Sequence, residues 1–387
     1  MSNTRRVPAE VFPPGEFIRE ELEARDWTQA DLAAILKKPL PAINEIILGK
    51  KAITPETAKS LGDAFGTGAE FWMNLETSYR LAMSSPSDSD VAKRAQLYSA
   101  APIKDIVKRG WISWSDDTDE LQESLFKFFR ASSIEDIQDR RMAARKSTSY
   151  GKTSIGEWAW RCRALQMAES VSVAKYSEDA LRTDGLDAIR RLTESPEEIR
   201  KVPKILADFG VRFVIVERLP KTEIDGVALW LGDSPAIAMS MRYDRIDSFW
   251  FTLAHELKHV LDGGESPIDT RLVGKDRQPT EEKPQEEKDA DHFAAQFLVP
   301  SEEIESFIRR VRPLYSKVRI NQFANRIGVH PGIVIGQLQH RQEIGWMHSR
   351  EMLVKVLDTV TSTAFTDGWG VLVHRELEFR PASVSER

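Results

Sequence analysis

Phe249-Trp-Phe-Thr-Leu-Ala-His-Glu-Leu-Lys-His-Val-Leu261 is an apolar, helix-periodic run with chemistry-bearing side chains set inside it. On a helix, His255 and His259 stand four residues apart and stack on one face, where two imidazoles can reach a single ion. Glu256 points one residue round, beside a metal-bound water, where a carboxylate can act as general base and then as proton shuttle. A bare H-E-x-x-H arises by chance in many sequences. Here the apolar flanks would bury both histidines, and two buried imidazoles one turn apart with a carboxylate between them need a reason. The single cysteine, Cys162, excludes an intrachain disulfide and a cysteine-rich cluster, so a metal would be held by histidine and carboxylate.

An open zinc site takes three protein ligands and a water, so a third donor is required. Downstream, Glu286-Glu-Lys-Asp-Ala-Asp-His-Phe-Ala-Ala-Gln-Phe-Leu-Val-Pro300 is an amphipathic helix whose buried stripe is Ala290, Phe293, Ala294, Phe297 and Leu298. Glu287 precedes Asp291 by one turn on nearly the same face. One can bind metal while the other accepts a hydrogen bond from a ligand imidazole. Glu287 is read as the third ligand and Asp291 as the residue behind the imidazole; Glu286 and Asp289 read as solvated charges, and His292 as a helix-surface residue, with a ligand or a transition-state hydrogen-bond donor as its alternatives.

Outward from this pair of helices, Val211 to Val216 and Ala236 to Met241 are short apolar runs bounded by Gly, Pro and Asp, and read as strands. The second is the candidate edge strand for pairing with an extended peptide. Gly263 to Glu286 is polar and proline-containing, hence a surface loop, and Val371 to Phe379 is a further candidate strand. Residues 91–194 read as a helical spacer or platform without a chemical cluster. Ser84-Ser-Pro-Ser-Asp-Ser-Asp90 reads as a linker. Before it, five short helices are expected between Pro14 and Met83. Thr28 caps the second, whose inner face is Leu32, Ala33 and Ile35, and Thr54-Pro55 opens the fourth.

Two resemblances follow from these residues. FWFTLAHELKHVL with E-K-D-A-D-H-F-A-A-Q-F-L-V-P resembles the ImmA/IrrE family of zinc metallo-endopeptidases, over about residues 190–350. The family implies a zincin-like α+β domain with a small sheet, a Zn2+ cofactor, His255, His259 and Glu287 as ligands and Glu256 as catalytic base. It also implies a protein substrate, such as a repressor cleaved to release transcription. Lys258 stands where the family usually has Gly, at a position facing away from the ion. Residues Pro14 to Leu75 resemble the HigA type of XRE helix-turn-helix antitoxin, an all-α DNA-binding domain. There Thr28 to Leu36 would cross the backbone and Leu40 to Lys50 would enter the major groove. Gln29 suits a phosphate contact and Asn44 a base edge, with Lys38, Lys50 and Lys51 flanking. The turn Lys37-Lys38-Pro39 departs from the family, which has Gly and small residues there.

The net charge of -6 disfavours a uniformly basic nucleic-acid binder, and residues 1–82 hold ten basic and twelve acidic residues. Yet Glu45 is the only acid between 37 and 51, so basic charge is local to this segment. The N-terminus lacks a signal-peptide core and no window approaches a membrane span, so a cytoplasmic location without membrane insertion is expected. The organisation expected is multidomain: residues 1–83 a helix-turn-helix domain, 84–190 a linker and helical region, 191–350 the metallopeptidase domain, and 351–387 an extension. The function expected is a DNA-binding transcriptional regulator whose zinc endopeptidase cleaves a repressor or antitoxin; operator DNA, a toxin partner and a homodimeric state complete the expectation. The alternative is a non-enzymatic antitoxin or regulator with a structural or sensory zinc domain.

Overall fold

The computed structural model describes residues 12–83, 89–146, 153–264, 268–274, 283–369 and 371–372. It divides into two compact units, Met1–Lys93 and Arg94–Arg387. Most of the expected linker lies outside the described residues, and Ser89 and Asp90 already belong to a helix.

In the first unit the helices are α1 (Pro14–Glu23), α2 (Gln29–Ile35), α3 (Leu40–Ile47), α4 (Pro55–Phe65) and α5 (Ala69–Met83). Thr28 caps α2 reciprocally: its hydroxyl accepts the Asp31 N–H, and its own N–H donates to Asp31 Oδ2 at 2.7 Å. Thr54 caps α4, with Pro55 at the first helical position. Ile18, Leu32, Ile43, Leu61 and Trp72 form the core, and Trp72 Nε1 donates to Thr67 Oγ1 at 2.8 Å. Gly15 lets α1 lie against α3, since a Cβ there would stand 2.0 Å from Ile47 O. Ile35, expected inside, is 45% exposed. The buried stripe of this seven-residue helix passes through Leu32 and Ala33 to Leu36 instead.

Further along the chain come α6 (Ser89–Ala100), α7 (Ile103–Lys108), α8 (Thr118–Phe129), α9 (Ile134–Lys146) and α10 (Ile155–Glu169). A helical stretch continues through α11 (Glu178–Ala180), a π turn and α12 (Leu186–Arg191) to α13 (Val202–Asp208). Then come β1 (Arg212–Val216), β2 (Ile224–Leu231), β3 (Ser234–Met239), α14 (Ile246–Asp262), β4 (Asp269–Thr270) and α15 (Gln285–Leu298). The last elements are α16 (Ser301–Val311), α17 (Lys317–Ile327), α18 (Pro331–His340), α19 (Leu357–Thr361), β5 (Phe365–Gly368) and β6 (Val371–Leu372). The remainder of the strand expected to Phe379 lies outside the described residues. No helix among the described residues is long and apolar enough to cross a membrane.

The sheet order is β4-β2-β3-β1-β5-β6. β1 is parallel to β3 and β5; β2 is antiparallel to β3 and β4, and β5 to β6. Strand β3, expected as an edge, is therefore interior: its apolar run pairs on both sides, with β2 and β1. Both faces of the sheet are covered. Phe213 and Ile215 of β1 share a core with Phe249, Leu253 and Leu257 of α14. Val214 and Val216 share another with Leu121, Phe128, Trp160 and Met167. Two buried faces explain why these strands read as continuous apolar runs.

The helices of residues 94–169, expected as a spacer or platform, are thus built into the same unit as the sheet. So is part of the stretch expected as an extension, because β5 pairs with β1. Asp367 of β5 is 2% exposed; its Oδ2 accepts Trp111 Nε1 at 2.8 Å and an ion pair from Arg163, tying the helices to the sheet.

Lys37 closes α2 at φ +53, the left-handed region where a side chain costs on the order of 1 kcal/mol. Lys37→Gly is expected to stabilise the first unit by about 1 kcal/mol, read as roughly fivefold stronger hydrogen-exchange protection of α2 and α3 amides. Unchanged or weaker protection would contradict this account of the turn.

Candidate functional site

Fourteen of the seventeen residues of α14 are buried, as befits a helix apolar nearly all round. His255 and Glu256 are fully buried and His259 is 7% exposed. The two imidazoles meet with His255 Nε2 and His259 Nε2 3.1 Å apart. From α15, Glu287 Oε2 stands 3.2 Å from His255 Nε2, and its Oε1 stands 3.5 Å from His259 Nε2. Behind the ring, Asp291 Oδ1 lies 3.1 Å from His255 Nδ1. Lys258 pairs with Asp262, one turn on and away from this cluster. His292 is exposed.

Three residues of the centre were not singled out by the sequence pattern. Asp269 of β4 places Oδ2 3.3 Å from His255 Nε2. Lys283 is 5% exposed and donates Nζ to Asp291 Oδ2 at 2.8 Å, so Asp291 spans the imidazole and a buried ammonium. Gly226 of β2 leaves room for the Glu256 side chain: a Cβ there would meet Glu256 Oε1 at 2.4 Å and Thr252 Cγ2 at 2.9 Å. None of the three carried a signal in spacing or periodicity. The polar run that holds Asp269 is not simply a surface loop, since Asp269, Leu272 and Val273 are buried and β4 pairs with β2.

Four donors, from His255, His259, Asp269 and Glu287, lie within 4.8 Å of one another. Asp269 Oδ2 and Glu287 Oε1 are shut from solvent and accept no hydrogen bond. Converging lone pairs in a dry site are electrostatically complementary to a divalent cation, so the residues fit a metal. Their proton affinities respond to the same crowding. Burial, with Asp269 adding to it, pushes the Glu256 carboxyl well above the usual range, and raises Glu287 to about 7. Burial lowers His259 to about 4. Burial also opposes charge on His255, but Asp269, Asp291 and Glu287 around it raise it well above its ordinary value. Burial works against the Asp269 carboxylate, yet His255 holds it below the ordinary range.

Two further histidines make other contacts. His330 Nδ1 accepts the Gly332 N–H, and His348 Nε2 lies 2.9 Å from Tyr315 O. His374 lies outside the described residues.

On the first unit, Gln29, Lys50 and Lys51 are exposed and Lys38 and Asn44 half-buried. Lys38 Nζ lies 3.6 Å from Glu56, which offsets part of its charge. Asn44 Oδ1 is shut from solvent without a hydrogen-bond partner, so its amide is only partly presented.

Residues 18–72 match the helix-turn-helix family model, and residues 207–338 that of the IrrE N-terminal-like domain. Virulence-associated protein I of Dichelobacter nodosus is 35% identical over 79 residues, covering 20% of this chain and 73% of that protein. PA4674 from Pseudomonas aeruginosa, solved in complex with its operator DNA, is 40% identical over 19% of this chain and 80% of its own, with a TM-score of 0.18. The Pseudomonas aeruginosa antitoxin HigA, solved with the higBA promoter, is 36% identical over 23% of this chain and 91% of its own, with a TM-score of 0.19.

Lys283→Met should leave Asp291 buried beside His255 without its counter-ion. Affinity for a divalent cation is then expected to fall about 10- to 100-fold, measured by chelator competition. Unaltered affinity would remove Lys283 from the support of the centre.

Proposed function

Starting from a chain that belongs to the helix-turn-helix proteins through residues 18–72 and carries an IrrE N-terminal-like domain over residues 207–338, we propose a DNA-binding transcriptional regulator with a built-in zinc endopeptidase. Its substrate is a regulatory protein, a repressor or an antitoxin. The observation that carries the reading is the convergence of His255 Nε2, His259 Nε2 and Glu287 on one point, with fully buried Glu256 on the same helix.

His255, His259 and Glu287 hold the metal in this reading, a donor set suited to zinc. When bound, zinc lowers the pKa of a water and polarises the scissile carbonyl. Glu256 takes a proton from the attacking water and returns it to the amide nitrogen as the peptide bond breaks. Asp291, balanced by Lys283, fixes the tautomer and orientation of His255.

The DNA half of the reading rests on the helix-turn-helix match and on two relatives solved with operator or promoter DNA. Gln29 and Lys38 contact phosphates, Asn44 reads a base edge from α3, and Lys50 and Lys51 add charge beyond its end. Operator binding sets the cytoplasm as the working compartment; a homodimer and a toxin partner belong to the same proposal.

One observation favours a second reading, a non-enzymatic regulator with a structural or sensory metal. Asp269 supplies a fourth protein donor, which closed structural sites have and open catalytic sites lack. Glu256 weighs the other way, since a structural site needs no base.

Glu256→Gln separates the two. It should keep about one zinc per chain, while cleavage of the partner protein falls by on the order of a thousandfold. Cleavage at the wild-type rate would end the peptidase assignment. For the DNA half, Lys50→Glu with Lys51→Glu should weaken operator binding in a gel shift and reduce the salt slope by about one for each phosphate that is no longer neutralised. Retention identical to wild type would exclude these lysines from the interface.

A further inference from the structure

One carboxylate of the metal cluster has no role in the chemistry above. Asp269 is 2% exposed, its Oδ2 accepts no hydrogen bond, and that oxygen lies 3.3 Å from His255 Nε2. The helices that carry the other three donors do not carry Asp269. It sits on β4, which pairs antiparallel with the edge of β2, Thr270 opposite Ile224 and Asp269 opposite Gly226. Gly226 is also the residue whose missing Cβ makes room for Glu256.

Pairing along a sheet edge is the way an extended peptide docks through its main chain. β4 therefore occupies the edge next to Glu256, and its first residue brings a carboxylate in among the donors of His255, His259 and Glu287, as a fourth donor where an open catalytic site would have a water. The segment that follows is tied down independently of any metal. The Leu272 N–H donates to Asp225 Oδ2 at 2.6 Å. Arg242 grips Asp225 through both carboxylate oxygens at 2.8 and 2.9 Å and donates to Val273 O at 3.1 Å. Leu272 and Val273 pack into the core beside α14.

Resting on the metallopeptidase reading, we propose that residues 268–274 form a self-inhibitory strap in which Asp269 is a fourth protein ligand to the metal, excluding both the attacking water and the substrate chain. β4 is only two residues long, so lifting it off β2 breaks few main-chain bonds. A substrate that adds as a strand to β2 competes for the same edge, and the enzyme opens as that strand replaces β4. The fourth donor is then a latch, and the structural alternative and the catalytic one describe its closed and open states.

The test uses the full chain loaded with cobalt(II) in place of zinc and titrated with acetohydroxamate, a small ligand that needs an open metal position. Visible absorbance of the cobalt reads the ligand set directly, apart from any peptidase assay. Wild type should bind cobalt and take up hydroxamate weakly. Asp269→Asn, which keeps the shape of the strap, should bind hydroxamate at least about tenfold more tightly and show altered cobalt bands; Asp269→Ala should do the same. Identical bands and hydroxamate affinity in wild type and Asp269→Asn would overturn the proposal while leaving the metal site standing. If Asp269→Asn, folded by circular dichroism, loses cobalt that wild type retains, Asp269 is a permanent structural ligand and the inhibitory strap is refuted. Failure of wild type itself to bind cobalt would refute the metallopeptidase reading and the strap together.

Discussion

Two imidazole nitrogens held 3.1 Å apart on a dry helix face are an electrostatic problem that the rest of the second unit is arranged around. Each lone pair buried away from water needs a proton or a cation. α14 is buried nearly all round, so solvent cannot supply either. The neighbours are carboxylates: Glu287 and Asp269 in front, Asp291 behind and Glu256 alongside. So much buried acid would itself be unstable without compensation. Lys283 supplies one buried positive charge to Asp291, and the converging oxygens of Glu287 and Asp269 are left for a divalent cation.

Keeping that helix dry determines the architecture around it. The sheet is buried on both faces, by α14 and its neighbours on one side and by the helices of residues 94–169 on the other. A stretch without any chemical motif therefore has a physical task. Asp367 locks this cover to the sheet by accepting from Trp111 and pairing with Arg163. Gly226 shows how tightly the sheet closes on the helix, because the Glu256 side chain fits only where strand β2 has no side chain.

The first unit works under a different constraint. Its charge is not basic overall, so any grip on DNA depends on where a few lysines stand. Lys50 and Lys51 are exposed beyond α3, whereas Lys38 shares its charge with Glu56. Lys37 sits at φ +53, a strained conformation in the turn between α2 and α3.

By itself the sequence determined what is local. Thr28 and Thr54 announced their helices, because a cap acts within three residues. His255 and His259 shared a face, because the helical period is close to four. Glu287 and Asp291 could be chosen together for the same reason, and the strands of β1 and β3 were legible as apolar runs. The tertiary structure alone decided what depends on chain segments meeting. β2 escaped notice, although it is the strand against Glu256, and β3 proved interior because it pairs with both β1 and β2. Ile35 turned outward because packing, not apolar character, chose the stripe of a short helix. Asp269 and Lys283 stood among the other charged residues of one polar stretch, and nothing in their spacing set them apart. Only the pairing of Asp269 against β2 and of Lys283 with Asp291 of α15 excluded water from these two, and burial brought ordinary charged residues into the cluster around His255.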